Sequence, residues 1–294
     1  MRLTATVPAT SANLGPGFDC FGLALDLLNE VTLDTEEAPG VTWEGEGADE
    51  LPGDGTDMIS RSMAFVAHEA GLNLPGFALH GVNRIPMERG LGSSSAAVVA
   101  GVALATHLLA DELGRDVTGD RAAIFRLASR VDGHPDNAAA AVYGGFTLAP
   151  QDGEVVRLDP HPSLRPVVLI PESDRLSTAD ARRALASLVP RQDAVYNLSH
   201  AALMVVAMTD RPDLLSTAMR DRLHQDARLQ LLPGVRDVFD AMASAGVPVA
   251  VSGSGPTLLV WEGASAIPDP GSGWRLLRLG IRSTGAHVSE DQLN

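Results

Sequence analysis

Arg89-Gly90-Leu91-Gly92-Ser93-Ser94-Ser95-Ala96-Ala97 is a glycine-rich turn that runs directly into the apolar stretch at 98–110. That stretch contains no proline and is followed by Asp111, Glu112 and Gly114, which predicts a long helix with Gly114 as its C-terminal cap. The start of a helix exposes unpaired N–H groups and the positive end of the helix dipole. An anion such as phosphate therefore fits at the point where the turn meets the helix.

The turn has two interpretations: a phosphate loop, or the ordinary capped loop that a cluster of glycine and serine commonly forms. The segment before the turn helps to decide between them. Residues 77–82 alternate in polarity as a strand does and lead the chain to Pro86 and the turn,. Strand, loop and helix in this order can form a phosphate cradle. The hydroxyls of Ser93, Ser94 and Ser95 can cap the helix, contact phosphate oxygens or ligate a phosphate-bound Mg²⁺.

The composition argues against several classes of function. A length of 294 residues favours about two domains,. The net charge of −15 predicts no nucleic acid and no membrane as partner, because phosphate groups would be repelled,. All 22 basic residues are arginines. Without lysine, the chain has no Walker A loop, no protein-kinase lysine and no pyridoxal Schiff base.

The N-terminus and the cysteine content favour a cytoplasmic protein. Pro8, Ser11, Asn13 and Gly15 interrupt any apolar segment of signal-peptide length,. Cys20 is the only cysteine, so we expect no disulfide framework within the chain and no cysteine metal cluster,. The apolar stretch after the glycine-rich turn consists mostly of small residues, and we expect a buried helix there rather than a membrane span.

Local patterns predict strands and helices in both halves of the chain. Strands are predicted at 3–7, 30–34, 41–44, 77–82, 146–149, 155–158, 166–170, 247–251 and 256–261,. Helices are predicted at 58–70, which Asp57 caps, and at 120–131, 178–188, 193–208, 212–222 and 235–245,. We interpret 8–19 and 132–138 as polar turns, and 274–288 as either strand or short helix. A hinge at 150–153 divides the chain into an N-terminal domain at 1–152 and a C-terminal domain at 153–294.

Three stretches of the chain together resemble a known family. They are Pro8-Ala9-Thr10-Ser11-Ala12-Asn13-Leu14-Gly15-Pro16-Gly17-Phe18-Asp19, the glycine-rich turn itself, and Ser252-Gly253-Ser254-Gly255-Pro256. They are similar to the three signature motifs of the GHMP small-molecule kinases. The first stretch together with Gly133-His134-Pro135-Asp136-Asn137 is typical of the homoserine kinase branch. The resemblance spans nearly the whole chain.

The resemblance implies an α+β, two-domain GHMP kinase fold. It has an N-terminal ribosomal-S5-domain-2-like domain that binds ATP and a C-terminal ferredoxin-like domain, with the active site between them. Backbone N–H groups would hold the phosphates, which agrees with the absence of lysine. The implied cofactor-binding residues are Pro86, Met87, Glu88, Arg89, Gly90, Leu91, Gly92, Ser93, Ser94, Ser95 and Ala96. The resemblance also implies that Ser94 lies beside the Mg²⁺ and that the stretch from Ser252 stiffens the loop.

The implied substrate is L-homoserine, a zwitterion whose side-chain hydroxyl is phosphorylated in threonine biosynthesis. A planar arginine fork suits its carboxylate, and carboxylates suit its ammonium group. The implied substrate-binding residues are Asn13, Asp19, Asp136, Asn137, Arg182 and Arg228, and the implied catalytic residues are Asn13, Asp19 and Asp136. Of these, Asn13 is expected at the substrate hydroxyl. The alternative for Asn13 and Asp19 is that they only stabilise turns, and lone arginines on helices are usually solvated.

Phosphoryl transfer needs positioning and charge neutralisation more than a strong base. We therefore expect direct in-line transfer, with Asp19 or Asp136 accepting the proton late. One position departs from the family pattern. Arg126 stands ten residues before Asp136, where relatives often carry a glutamate that helps to bind Mg²⁺. This leaves Ser94, ATP oxygens and water as the expected Mg²⁺ ligands, with Asp132 as a weaker substitute.

Two other functions also fit the sequence. The first is a kinase of the same family that acts on a mevalonate-like alcohol, although such a substrate has no ammonium group to match the two acidic residues. The second is a non-catalytic sensor of nucleotide and metabolite, which Arg126 favours. The family resemblance also implies a homodimer.

Overall fold

A computed structural model describes residues 1–113, 119–263 and 265–290. Its strands are β1 (Arg2–Ala12), β2 (Phe21–Asp34), β3 (Gly40–Gly45), β4 (Ala78–Asn83), β5 (Phe146–Leu148), β6 (Val156–Leu158), β7 (Pro166–Pro171), β8 (Val249–Val251), β9 (Leu258–Trp261), β10 (Trp274–Arg278) and β11 (His287–Glu290). Its helices are α1 (Met58–Ala70), α2 (Ser93–Leu108), α3 (Ala110–Leu113), α4 (Arg121–Asp132), α5 (Pro135–Tyr143), α6 (Thr178–Arg183), α7 (Arg191–Thr209), α8 (Leu215–Ala218), α9 (Gln225–Gln230) and α10 (Pro233–Ser244). This mixture of strands and helices is the predicted α+β class.

The first sheet contains seven strands, with β11, β1, β2, β4 and β3 as neighbours in that order. β1 and β2 form a long antiparallel hairpin whose register shifts between Pro8 and Ala9. A proline has no N–H to donate to the ladder, which suits it to such an irregularity. β5 pairs with the start of β2, and β6 pairs with β5. The loop at 13–20 connects β1 to β2 at the end of the hairpin where β5 pairs with β2.

The helix that follows the glycine-rich turn, α2, is surrounded by other elements. It contacts β1 and lies against α1, α4 and α5, and its residues from Ser95 to Thr106 are buried except Ala97, which is partly exposed. Gly101 permits the close approach of α1, because a Cβ there would lie 2.5 Å from the carbonyl oxygen of Ile59,. A helix that is apolar all round belongs in a protein interior, as predicted. No described helix combines the length and the hydropathy that a bilayer crossing requires.

The second sheet contains four antiparallel strands in the order β10, β7, β9 and β8. Successive side chains of β7 point to opposite faces. Val168 and Ile170 join the large core that α2 also enters. Val167 and Leu169 join a smaller core with residues of α10. β7 is therefore buried on both faces, and the second sheet lies between the two cores.

The two sheets do not divide the chain at residue 152, where the sequence predicted the domain boundary. β6 lies beyond this point, yet it pairs with β5 in the first sheet. β11 also pairs with β1 in the first sheet, although its neighbour β10 in the sequence belongs to the second. Local patterns identify a strand without identifying its partner, and the division into two domains at residue 152 stays a prediction.

Several local predictions are confirmed and others are wrong. The carboxylate of Asp57 caps α1 by accepting the N–H groups of Ile59 and Ser60, both at 2.9 Å. The predicted turn at 132–138 is wrong from Pro135 onward, because Pro135 occupies the first position of α5, where its missing N–H does no harm. The predicted loop at 8–19 is wrong as far as Ala12, which ends β1.

The helices between 178 and 230 differ most from the prediction. The segment predicted as a helix at 212–222 is a 3₁₀ turn at Pro212–Leu214 followed by the short α8. α9 was not predicted at all. α2 ends at Leu108, and Gly114, the predicted cap, lies outside the described residues.

Candidate active site

The glycine-rich turn lies at the N-terminus of α2. Gly92 precedes the helix with a left-handed φ of 69°, and no side chain caps the helix there. A Cβ at Gly92 would lie 1.9 Å from the Thr10 hydroxyl oxygen, so both the backbone conformation and the space require glycine. The serine cap that the sequence allowed is therefore not formed. The first N–H groups of α2 are left to bind an anion.

The stretch at 252–256 packs against this turn. The Ser252 hydroxyl donates to the carbonyl oxygen of Gly90 at 2.7 Å and lies 2.8 Å from the Ser11 hydroxyl oxygen. The N–H of Thr257 donates to the carbonyl oxygen of Arg89 at 3.2 Å. Hydrogen bonds from the distant 252–257 segment therefore fix the backbone of the turn, in the arrangement that the resemblance implied.

Two cavities meet at the start of α2. One is polar, with a volume of about 240 Å³, and the other is largely apolar, with a volume of about 220 Å³. Glu88, Ser93 and Ser94 line both. The predicted residues that line the polar cavity are Asn13, Asp19, Glu88, Arg89, Gly90, Gly92, Ser93, Ser94, Ser95, Asp136, Asn137, Arg182 and Arg228. The structure thus brings all six predicted substrate-binding residues to one cavity.

The apolar cavity has the lining expected for a flat, weakly polar group. Its apolar wall is formed by Val31, Trp43, Leu51, Met58, Ile59, Val82, Met87, Ala96 and Ala97. Only Met87 and Ala96 of these were predicted, and the others lie on β2, β3, β4, α1, α2 and the loop that contains Leu51. The predicted residues Pro86 and Leu91 are buried and line neither cavity.

Asp19 and Arg182 form an ion pair at the polar cavity. Arg182 donates from Nη2 to Oδ1 of Asp19 at 2.9 Å and from Nη1 to Oδ2 at 3.1 Å. The residue expected to bind an ammonium group and the residue expected to bind a carboxylate therefore neutralise each other. A zwitterion can replace both partners at once, whereas a ligand with one charge leaves the other side chain unpaired.

Asn13 connects the 13–20 loop to the 252–256 stretch. Its φ is 71°, in the left-handed region that asparagine tolerates better than most residues. The side-chain Nδ2 donates to the carbonyl oxygen of Gly253 at 2.9 Å, and Oδ1 accepts the N–H of Asp19 at 3.0 Å. This is the turn-stabilising role that was the alternative for Asn13. Its predicted contact with a substrate hydroxyl stays a prediction.

Asp136 is a buried carboxyl in the first turn of α5. Its Oδ1 accepts the N–H of Asn137 at 2.8 Å, and Asn137 in turn accepts the Thr10 hydroxyl at 2.7 Å. Burial raises the pKa of Asp136 to about 6, aided by the negative charge of Asp19 and opposed by the Asn137 N–H. A carboxyl that titrates near neutral pH in a cavity is suited to binding a cation or accepting a proton.

Arg228 is a buried cation. Only 3% of the residue is exposed, and its Nη1 donates to the carbonyl oxygen of Gly253 at 2.6 Å. The guanidinium carbon lies 5.4 Å from the centre of the Phe18 ring. Burial lowers the pKa of Arg228 to about 10, so the side chain stays charged at neutral pH. Its Nε has no hydrogen-bond partner among the described residues, which favours an anionic ligand.

The sequence of the chain matches proteins of known activity. Residues 57–145 match the family described as GHMP kinases N terminal domain. A homoserine kinase of Clavibacter michiganensis subsp. michiganensis is 43% identical over 264 residues, which cover 88% of this chain and 82% of that protein. A homoserine kinase of Streptomyces avermitilis is 40% identical over 290 residues, covering 96% and 94%. The chain belongs to the homoserine kinase family.

The similarity to homoserine kinases extends to the fold. The crystal structure of homoserine kinase from Cytophaga hutchinsonii superimposes with a TM-score of 0.82 at 27% identity, covering 98% of this chain and 97% of that one. The family resemblance of the signature stretches and the GHMP kinase fold are both confirmed.

The sequence departs from the family pattern at Arg126. Arg126 lines neither cavity. The carboxylate that reaches the turn belongs to Asp132, whose Oδ2 accepts the Ser95 hydroxyl at 2.6 Å and lies 3.6 Å from Nδ1 of His134. Within residues 1–113, 119–263 and 265–290, no group of three or more His, Cys, Asp or Glu side chains could hold a metal ion.

Proposed function

We propose that this protein phosphorylates the side-chain hydroxyl of L-homoserine with ATP and releases O-phospho-L-homoserine and ADP. The observation that carries the proposal is the meeting of a charged cavity and an apolar cavity at Ser93 and Ser94, where α2 begins. The base of ATP occupies the apolar cavity, its phosphates lie at the helix N-terminus, and homoserine occupies the polar cavity. A cytoplasmic location and a place in threonine biosynthesis belong to the same proposal.

The phosphates of ATP are held by the main chain. The free N–H groups of the first turn of α2 and the positive end of its dipole attract the phosphate oxygens. Contacts of Thr10 and Ser252 with the turn keep these groups in place without ATP. The fixed turn takes the place of the lysine that many other nucleotide-binding loops use.

Homoserine is recognised by charge pairs on both of its ionised groups. Arg182 and Arg228 bind the carboxylate, and Asp19 and Asp136 bind the ammonium group. Two cations and two carboxylates match a zwitterion without leaving a net charge in the cavity. A mevalonate-like alcohol has only the carboxylate, so it leaves the acidic residues unpaired and binds more weakly.

The transfer step needs little chemistry from the side chains. The homoserine hydroxyl oxygen attacks the γ-phosphorus, the bond from phosphorus to the β,γ-bridging oxygen breaks, and ADP leaves with that electron pair. Asn13 orients the hydroxyl. The hydroxyl proton passes late to Asp19 or Asp136, and from there to solvent. Most of the acceleration comes from the alignment of the two substrates and from neutralisation of phosphate charge.

The residues around the turn fit Mg²⁺ as the accompanying ion. Ser94 lines both cavities, and Asp132 accepts a hydrogen bond from the neighbouring Ser95. Mg²⁺ in phosphoryl-transfer sites keeps several waters and uses one or two protein groups together with substrate phosphates, so this sparse set is sufficient. Ser94 and, more weakly, Asp132 are the groups that would hold Mg²⁺, which would supply neutralisation of phosphate charge.

A homodimer is also part of the proposal, with α7 as its interface. Val195, Leu198, Ala202 and Val206 recur at helical spacing and are exposed,. No Asp, Glu, Lys or Arg occurs between Asp193 and Asp210. An uncharged, exposed helix face on a chain of net charge −15 favours contact with the same face of a second copy.

The deciding experiment is a coupled assay of ADP release with Mg²⁺ and ATP. We expect turnover with homoserine, and none with 4-hydroxybutyrate, which lacks the amine, or 3-aminopropanol, which lacks the carboxylate. Turnover with a mevalonate-like alcohol instead would support another GHMP kinase activity. Nucleotide binding without turnover for every alcohol would support a sensor.

A further inference from the structure

His224 makes two different hydrogen bonds with its two ring nitrogens. Its Nε2 lies 2.7 Å from the carbonyl oxygen of Gly15, and its Nδ1 lies 2.9 Å from Nη1 of Arg228. A carbonyl oxygen only accepts, so Nε2 carries the hydrogen. A guanidinium only donates, so Nδ1 accepts. The contacts therefore fix one neutral tautomer of the imidazole, and burial of His224, which lowers its pKa, keeps it neutral at physiological pH.

Asp221 fixes the position of His224 through hydrogen bonds with the backbone. The Asp221 side chain is fully buried, and its Oδ2 accepts the N–H groups of His224 at 2.9 Å and of Gln225 at 2.8 Å. Its Oδ1 accepts Nδ2 of Asn197 in α7 at 2.7 Å. From the other side, the imidazole stacks on the Phe18 ring at a centroid distance of 5.1 Å. The ring has little freedom to turn.

This arrangement determines which part of Arg228 faces a ligand. Nη1 has two hydrogens, and the acceptors His224 Nδ1 and Gly253 O use both. Nε has no hydrogen-bond partner among the described residues, and the hydrogen bonds of Arg228 to His224 and Gly253 both come from Nη1. Nη2 and Nε form one edge of the guanidinium fork, which can bind a carboxylate through two parallel hydrogen bonds.

We infer that His224 is a positioning residue for substrate binding, because its Nδ1 holds the Arg228 fork with the free edge toward the substrate carboxylate. This inference rests on the proposed function in one respect, the assignment of Arg228 to the homoserine carboxylate. Without the acceptor, one N–H of Nη1 is buried and unsatisfied. The fork then rotates to recover a partner, and the carboxylate loses its paired contact.

Two substitutions separate the two hydrogen bonds of His224. In His224→Asn, the side-chain oxygen lies as many bonds from Cβ as Nδ1 does, so the acceptor for Arg228 is kept and the donor to Gly15 is lost. In His224→Gln, the side-chain nitrogen takes the place of Nε2, so the donor is kept and the acceptor is lost. We expect the KM for homoserine to stay within about 3-fold of wild type in the Asn variant and to rise about 10- to 100-fold in the Gln variant.

The KM for ATP and the kcat should change little in both variants, because the glycine-rich turn is untouched. His200→Gln is the matched control, since His200 lies on α7 and contacts Tyr196 away from the cavities. It should alter neither KM. A larger loss in the Asn variant than in the Gln variant would assign the role of His224 to the Gly15 loop and overturn the inference. An equal rise in both variants would overturn it as well.

A measurement on the wild-type protein does not depend on the folding of any variant. Nitrogen-15 NMR of the histidine rings should show His224 as the Nε2–H tautomer with an unprotonated Nδ1. The opposite tautomer would overturn the inference even if no variant folds. The absence of homoserine-dependent ADP release in the wild type would reject the proposed function instead, so the two failures are distinguishable.

Discussion

Asp136→Asn is expected to stabilise the folded protein above pH 6 while it removes activity. Asp136 is 4% exposed, and burial together with the charge of Asp19 raises its pKa from an ordinary value of 3.8 to about 6. A difference of this size corresponds to about 3 kcal/mol by which the ionised carboxylate destabilises the fold. Asparagine is neutral, and its oxygen can still accept the N–H of Asn137, so the variant avoids most of this loss.

The effect should depend on pH in a defined direction. Because the pKa of Asp136 is higher in the folded protein than in the unfolded chain, the folded protein binds more protons between about pH 4 and pH 6. Its free energy of unfolding therefore falls as the pH rises through this window, and the fall is absent from the variant. Urea unfolding should show similar stabilities at about pH 4 and a gain of up to about 3 kcal/mol for the variant at about pH 8.

The activity of the Asp136→Asn variant should fall, although its stability rises. The variant lacks one charge of the proposed ammonium site, so kcat/KM for homoserine should fall by about 100-fold or more while the KM for ATP changes little. In the wild type, kcat/KM for homoserine should fall as the pH drops below about 6, since Asp136 becomes neutral.

Asp213→Asn is the matched control for stability, because Arg211 lowers the pKa of the exposed Asp213. It should slightly destabilise the protein at neutral pH. The argument that charge burial dominates at Asp136 is refuted if Asp136→Asn gains no stability at about pH 8, or gains as much at about pH 4.

Three further changes test other parts of the site. Gly92→Ala should abolish turnover and lower Tm, since its Cβ would lie 1.9 Å from the Thr10 hydroxyl oxygen; thermal melts with and without ATP measure both effects. Arg182→Gln should raise the KM for homoserine by about 10-fold or more at unchanged KM for ATP, whereas steady-state kinetics of Arg183→Gln should match wild type. Leu198→Glu should convert a dimer to a folded monomer in light scattering, and a persistent dimer would exclude α7 as the interface.

The glycine-rich turn and the elements next to it could be predicted because their signals are local. Asp57 caps the helix that begins at the next residue, and the left-handed Gly92 immediately precedes α2. A short stretch of sequence therefore contains both the residue and the helix whose start it marks. The helix from Pro135 was missed because the polar residues at its start dominate the pattern, although the alanines that follow favour a helix. The partners of β6 and β11 could not be predicted, since pairing depends on contacts across the whole chain.

In the candidate site, too, individual residues could be predicted but the contacts between distant residues could not. Family motifs located Asp19, Asp136, Arg182 and Arg228, but no motif indicated that Asp19 and Arg182 pair with each other. His224 carries no local signal at all. Contacts with Gly15 and Phe18, more than two hundred residues earlier in the chain, hold its ring so that Nδ1 meets Arg228. The same holds for the walls of the apolar cavity, which residues of β2, β3, β4, α1 and α2 assemble together with loop residues.

The wall shared by the two cavities has a consequence for ligand design. Since Glu88, Ser93 and Ser94 face both, one covalently joined molecule carrying a nucleoside, a short phosphate chain and an amino acid can occupy both compartments together. The first half to dock holds the second at high effective concentration, and avidity of this kind typically adds about 10²- to 10⁴-fold to the affinity of either half. Such a bisubstrate mimic would be selective because it demands both compartments, and enzymes that possess only one would bind it poorly.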